Sequence, residues 1–475
     1  MKIIRLSLVL LCSASFLLAS CLGGDDRDLG YYEDTAITTF TLGTLKWNVD
    51  SVTASGKDTV YRKKLDAKKV VFYVDHNNKT VYNPDSLPYG VDEKKILCTV
   101  SSKNAGPVLI KSMTSDSLRY FNSKDSTDFS QPRKFRVYSN SQGQYREYTV
   151  MVNVHKEKPN VFKWKQVATS TLLGSLTAMR AVAANGRVFV FGEDGANTVI
   201  CSAATNNGGT WTQLSPNVTL AFGAYKSICT YNNTLYILNN GSLLKSTDGV
   251  TWTPITPPGA TVRQLVGVSG LGYHFLGTDG KLYLLKKNET ALTADALDSD
   301  ARLLPTSDIN FLSMASTQGD STDLLLLIGN RDSVLYTTDK QPTIWGKVAE
   351  YDAYAASQAW VYYVIASNNR YPLPRIFNLQ AVVYDRGILA IGGNGIGTDK
   401  TKAFSQMYFS KDGGITWHSH PLYKLPKEWS SSATSFAMTV DADNYIWLIG
   451  GTSGQVWKAR KNSLGWKKVQ TEFVK

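Results

Sequence analysis

Ser410-Lys411-Asp412-Gly413-Gly414-Ile415-Thr416-Trp417 is the stretch whose reading decides the fold. The side chains of Ser410 and Asp412 carry acceptors for backbone N–H groups within a turn. Gly414 permits a positive φ, and Trp417 is suited to pack under the turn with its own N–H on a carbonyl. Ser246-Thr247-Asp248-Gly249-Val250-Thr251-Trp252 repeats the pattern, and Asn206-Asn207-Gly208-Gly209-Thr210-Trp211 repeats it in weaker form. Outward from Ser246 the sequence alternates apolar runs and turns. Residues 227–231 and 235–238 are strands flanking Asn232-Asn233, residues 242–245 follow Asn239-Asn240-Gly241, and residues 251–254 start a fourth strand. That is one four-stranded antiparallel blade. The same order recurs around residues 188–192, 282–285, 324–329, 388–393 and 446–451, so a repeat architecture is expected.

Trp164, Trp211, Trp252, Trp345, Trp417 and Trp466 serve as outer-strand markers. The interval from Trp252 to Trp345 holds two blades, and that from Trp345 to Trp417 holds one blade with an insertion. The expectation is an all-β chain whose C-terminal β-propeller, residues 156–475, has six blades, with seven as the alternative. Both Phe162-Lys163-Trp164-Lys165-Gln166-Val167 and the segment around Trp466 read as a closing outer strand, and the sequence does not choose between them.

The Ser-x-Asp-x-Gly-x-Thr-Trp form of residues 410–417 resembles the Asp-box of sialidase-like β-propellers. The resemblance implies that Ser246, Asp248, Trp252, Ser410, Asp412, Gly414 and Trp417 are structural and lie on the rim, away from any active site. Sialidases also carry three carboxylate-holding arginines, a Tyr–Glu pair, an acid Asp and an Arg-Ile-Pro signature. Here Thr177-Ala178-Met179-Arg180-Ala181 occupies the corresponding region without that signature, and Leu373-Pro374-Arg375-Ile376-Phe377 has the wrong order. Arg180, Arg263 and Arg375 each fall near predicted inner strands, where convergence would suit an anion. The reading adopted is that they are scattered, and no catalytic residue is assigned.

The N-terminus reads as an address. Lys2 and Arg5 precede an apolar run over residues 6–18, too short for a permanent membrane span. It ends in Leu18-Ala19-Ser20-Cys21, which resembles a bacterial lipobox and implies a signal peptide over 1–20 with a lipid on Cys21. The acidic pair Asp25-Asp26 in the 21–35 tether resembles the surface-export signal of Bacteroidetes lipoproteins. The implied location is the outer membrane, lipid-anchored and facing the exterior. Residues 36–155 carry short strands at the spacing of an Ig-like β-sandwich and resemble the N-terminal module common in such lipoproteins.

The chain carries a net charge of +12, with basic residues scattered rather than blocked, so no nucleic-acid partner is expected. Cys98, Cys201 and Cys229 are too few for a disulfide framework and lack metal-ligand spacing. His418 and His420 face one side of a strand but lack a third ligand. No metal and no cofactor are predicted. The insertion is the predicted ligand surface: Trp360, Tyr362, Tyr363, Tyr371 and Arg375 combine flat aromatic faces with donors suited to a sugar or a protein patch. The competing reading is that residues 359–365 are a buried strand. The function expected is non-catalytic binding of a glycan or surface protein through the propeller face. The alternatives are a polysaccharide-acting glycoside hydrolase and a structural envelope or adhesion protein.

Overall fold

The computed structural model describes residues 30, 32–255, 261–287, 289–315, 321–351 and 358–466. The signal segment, Cys21 and part of the insertion (352–357) lie outside the described residues. The chain divides into two compact units, the first ending at Lys158 and the second running over Pro159–Trp466.

In the first unit, Ile37–Leu42 pairs with Cys98–Ser102, and Thr44–Val52 forms a ribbon with Asp58–Asp66. The other strands make a six-stranded sheet in the order Tyr73–Asp75, Thr80–Tyr82, Tyr145–Met151, Arg133–Tyr138, Val108–Lys111, Leu118–Tyr120. Its Thr80–Tyr82 and Tyr145–Met151 pair is parallel. Phe40, Phe129, Phe135 and Tyr148 fill the core beneath it.

The second unit is a β-propeller. Its described residues form six four-stranded antiparallel sheets. The innermost strands are Met179–Ala184, Cys229–Tyr231, Val262–Val268, Ser307–Ala315, Gln380–Tyr384 and Phe436–Val440. Each lies beside the next, and the last lies beside the first, so the ring is closed. Phe162–Thr169 pairs antiparallel with Gln455–Lys461 as the outermost strand of the sixth sheet. The start of the unit thus completes a sheet made by its end, covering an edge that would otherwise be unpaired. Asn462–Gly465 is a single 3-10 turn, so the chain before Trp466 does not supply that strand.

Turn chemistry sets the strand register. Asn185-Gly186, Asn232-Asn233 and Asn240-Gly241 each hold positive φ at both positions, the geometry of a tight hairpin. Asp385-Arg386 does the same without Gly or Asn. There Asp385 Oδ2 accepts from Tyr423 Oη at 2.6 Å and Lys461 Nζ at 2.9 Å. Two markers depart from expectation, Trp466, which follows the 3-10 turn Asn462–Gly465, and Trp345. Trp345 lies on the third strand of the fourth sheet, Thr343–Glu350, and the outermost strand there is Val361–Tyr362. Its Nε1 donates to Leu303 O at 3.0 Å, so it is a core residue.

The box turns form as their residues dictate. Ser410 Oγ donates to Asp412 Oδ1 at 2.8 Å and accepts from Gly414 N at 2.9 Å. Asp412 also accepts from Thr416 N and Thr416 Oγ1, and Trp417 Nε1 reaches Gly414 O at 2.7 Å. Gly414 has φ +95°. In the second box Asp248 Oδ1 accepts from Val250 N and Thr251 N, and Trp252 Nε1 reaches Gly249 O at 3.0 Å. In the degenerate turn Trp211 Nε1 finds Gly208 O at 3.1 Å.

Each box tryptophan is buried against the preceding sheet. Trp252 packs with Phe189 and Phe191, Trp417 with Ile328 and Ile344, and Trp211 with Trp447 and Val456. Replacing Trp417, which is 3% exposed, by Ala is expected to cost about 3–5 kcal/mol in urea unfolding. A loss below about 1 kcal/mol would contradict this packing role.

Candidate functional site

Antiparallel alternation gives the ring two different ends. The box turns, between third and fourth strands, lie at one end. Loops leading into the innermost strands, and loops between second and third strands, lie at the other. A funnel of about 420 Å³ opens at that second end. It leads into a channel of about 270 Å³ lined by all six innermost strands. Arg180, Lys226 and Ile309 border both spaces.

The funnel is lined by polar and apolar groups alike and carries cations from separate sheets. Arg180 enters from the first sheet, Lys226 from the turn Ala224–Ser227 before the second, and Arg263 from the third. Among the described residues, no hydrogen bond or ion pair holds any of these three side chains. Arg180 is partly accessible, while Lys226 and Arg263 are exposed. Burial lowers the Arg180 pKa, opposed by the Asp308 charge, but a guanidinium stays protonated in proteins. Burial pushes the neighbouring Tyr225 hydroxyl up to about 12, so it remains a donor at neutral pH.

Two carboxylates share the funnel. Asp332 Oδ1 accepts from Val334 N and Leu335 N, which lowers its pKa and commits it to its own loop. Asp308 sits where the strand register slips between Ser307 and Asn310, at φ +51°. Such a bulge re-aims a side chain next to a site. Asp308 Oδ2 accepts from Asn330 Nδ2 at 2.9 Å, and burial raises its pKa. Asn310 secures the bulge: its Nδ2 donates to Asp308 O and Leu379 O, and its Oδ1 accepts from Ala381 N of the fifth sheet. Phe222, Val334, Leu335 and Phe377 are exposed apolar residues on loops at this same end.

The residues predicted as a ligand surface lie elsewhere. Trp360 is fully buried, with Nε1 donating to Asp295 Oδ2 at 2.8 Å. Tyr362 lies on the outermost strand against Trp345, ring centroids 5.3 Å apart. Tyr363 packs at Gly346. Arg375 is fully buried, where its guanidinium donates to Tyr336 O at 2.6 Å and Arg331 O at 2.9 Å. It therefore clamps a loop and cannot offer its fork to a ligand. Tyr371 is exposed, but its carbonyl accepts from Trp417 N at 2.8 Å, and Asn369 Nδ2 reaches Ile415 O at 2.8 Å. The insertion thus supports the box turn of the next sheet. The aromatic platform is corrected on this point, because its two central donors are inside the protein.

Of the three arginines weighed in the sequence, Arg180 and Arg263 share the funnel and Arg375 does not. Tyr225, Lys226, Asp308 and Asn378 were not singled out. Their signal was positional: each lies just before or at the start of an innermost strand. Elsewhere the histidines part company. His418 packs on Tyr371, whereas His420 accepts from Leu422 N and stacks on Tyr423. No metal-holding cluster occurs among the described residues. Cys98, Cys201 and Cys229 are free thiols, and burial pushes Cys229 up to about 12 where it borders the channel. No helix of the described residues is long and apolar enough to cross a membrane.

Comparison with known proteins places these units. The model of the DUF6242 beta propeller domain matches residues 158–469, and that of the DUF6242 N-terminal domain matches residues 40–152. None of the curated proteins matches the sequence. A solved protein of unknown function from Bacteroides thetaiotaomicron is similar at 9% identity and TM-score 0.41, over 76% of this chain and 94% of that one. A gluconolactonase from Xanthomonas campestris is similar at 13% identity and TM-score 0.35, over 64% and 96%. The WD40 domain of Toxoplasma gondii coronin is similar at 10% identity and TM-score 0.31, over 64% and 86%.

A second polar cluster has the order of a catalytic triad but not the access. Ser269 Oγ and His274 Nε2 are 2.9 Å apart, and His274 Nδ1 lies 3.6 Å from Asp295 Oδ2. Ser269 is 0% and His274 1% exposed, so no substrate reaches them. Asp295 also binds Lys347 Nζ at 2.5 Å. The cluster ties the third sheet to the fourth. Burial raises the Asp295 pKa, but His274 and Lys347 outweigh it and bring it down to about 2. Burial lowers the His274 pKa.

Two outcomes follow from these directions. Asp295→Asn strands a buried ammonium and is expected to cost about 3–5 kcal/mol, read from chemical unfolding. His274 binds its proton more readily unfolded than folded. Its contribution to stability is therefore present above the unfolded value of about 6.5 and is lost as pH falls below it. Asp295 adds a further loss as pH falls below about 3.8 towards 2. The thermal midpoint of His274→Asn should fall less between pH 7.5 and 5.0 than that of the parent protein. Equal slopes would mean that His274 is not buried neutral.

Proposed function

We propose, for a chain that belongs to the DUF6242 beta propeller family, a lipid-anchored surface protein that binds its ligand at the funnel and does not transform it. The funnel with its unpaired cations carries this reading. It is a concave space of small-ligand size, at the end of the ring away from the box turns. Asp332 is committed to its own loop, which leaves Asp308 without a free carboxylate partner for the acid pair that glycoside hydrolysis uses. The lipobox ending at Cys21 and the acidic pair behind it support anchoring and outward display. Six closed four-stranded sheets support six blades. The sheet of the first unit, with the Ile37–Leu42 pair packed into the same core, supports an Ig-like spacer. The favoured ligand is a glycan, since the hydroxyls of Thr306, Ser307 and Thr434 line the same funnel as the cations, while the amides of Gln264 and Asn378 hold the surrounding segments in place. A protein partner is the second reading, favoured by the exposed Phe222, Val334, Leu335 and Phe377 at the same end.

A glycan-array screen of residues 22–475, paired with reducing-sugar release assays on every hit, tests the proposal. Binding without release is the expected result. Release of sugar would make the protein a hydrolase, and silence in both assays would favour the protein partner.

A further inference from the structure

The propeller pairs its inward cations almost everywhere but at the funnel. Lys347 binds Asp295, Arg331 binds Asp339, and Lys461 binds Asp385. Arg375 is spent on backbone carbonyls. Lys458 donates to Thr205 O at 2.9 Å and lies over the rings of Tyr445 and Trp447. Arg180 breaks this pattern. It is recessed at the neck of the funnel, with five donors and no hydrogen bond among the described residues. Lys226, whose Nζ lies 5.8 Å from the centroid of the Tyr225 ring, and Arg263 line the same space, with no hydrogen bond or ion pair on either side chain among the described residues.

Desolvating a guanidinium without a partner is costly, and a planar fork is shaped for an oxyanion. From these unused donors, and resting on the binding reading above, we infer that the funnel takes the oxyanion of an acidic sugar. Arg180 grips a carboxylate or sulfate group, and Lys226 and Arg263 line its approach. Tyr225 lies beside Arg180 and offers a further donor. Phe377, 44% exposed on the funnel wall, presents a flat apolar face to the sugar ring. Asp332 and Asp308 offset part of this charge, and the three cations exceed the two carboxylates by one. The field at the mouth is therefore positive, which raises the local concentration of an anionic ligand.

Calorimetric titration of residues 22–475 separates the possibilities. The probes are a hexuronate trisaccharide, its methyl ester, a neutral trisaccharide, the sulfated form of that trisaccharide, and a glutamate-rich peptide. The inference expects binding of the hexuronate, the sulfated sugar or both, and at least tenfold weaker binding of the ester and the neutral sugar. Which acidic sugar binds identifies the group as carboxylate or sulfate. Arg180→Gln should weaken binding by roughly tenfold to a hundredfold, the scale of hydrogen bonds to a charged group, with Arg180→Lys in between. If Arg180→Gln fails to fold, Lys226→Gln with Arg263→Gln, both exposed, should still weaken binding and flatten its salt dependence. Equal affinity for acid and ester would overturn the oxyanion assignment while leaving a binding funnel in place. Preference for the peptide would overturn the sugar. Binding of no probe would overturn the acidic-sugar assignment and, as for the glycan screen, favour a protein partner.

Discussion

Pairing of Phe162–Thr169 with Gln455–Lys461 turns a row of sheets into a ring. Without it the sixth sheet would end on a bare edge, and the first sheet would lose its covalently adjoining strand as a tether to the sixth. The funnel depends on the same contact. Arg180 sits on the first sheet, while Thr434 and Phe436–Val440 belong to the last sheet and the loop leading into it. These residues face one another only because the ring is closed. Closure also brings Ser435 Oγ to Leu176 O at 2.6 Å, joining the two ends again at the innermost layer.

Once the ring is closed, its rigidity rests on how each sheet sits on the one before it. The box turns supply that seat at one end. The tryptophan N–H is satisfied inside its own turn, so the ring can be pressed into the preceding sheet without stranding a donor. Glycine at the seat is required by contact as well as by φ. A Cβ on Gly208 would meet the Trp447 ring at 2.4 Å. The third and fourth sheets lack such a turn in the described residues and use an ionic contact instead. Asp295 there receives Lys347 and Trp360 together. The two solutions differ in kind: the tryptophan seat itself is apolar, although the box turn above it rests on the ionised Asp248 or Asp412, whose pKa hydrogen bonds from the turn lower, whereas the second is a buried ion pair.

The architecture was legible because its signals are local. Ser410, Asp412, Gly414 and Trp417 interact within one turn, and so do Asn232-Asn233 and Asn240-Gly241 in their hairpins. Residues spaced two apart on a strand are likewise decided by their neighbours. The site was not legible for the opposite reason. Arg180, Lys226 and Arg263 are far apart in the chain and converge only through the packing of the first three sheets about the axis. Trp360 and Arg375 misled because aromatic and cationic side chains near a long loop look the same whether they face solvent or carbonyls. Their fate turned on Asp295 and on the loop carbonyls of Arg331 and Tyr336, contacts that composition does not announce.

The two ends of the ring also differ in how fully they satisfy themselves. At the box end every acceptor of Ser410 and Asp412 described above has a donor, and Gly413 and Gly414 take the positive φ of that turn. At the funnel end a non-glycine residue, Asp308, holds φ +51° on a bulge, a conformation that costs of order 1–3 kcal/mol. Arg180 is recessed beside it, within reach of its charge but with no hydrogen bond or ion pair among the described residues. Asn310 and Asn330 hold this arrangement with hydrogen bonds across neighbouring sheets. A fold that only needed stability could place glycine at 308 and an apolar residue at 180. Positive φ on non-glycine residues occurs at both ends of the ring, so it is the donors of Arg180, Lys226 and Arg263, free of hydrogen bonds and ion pairs among the described residues, that set the funnel end apart and on which the binding proposal rests.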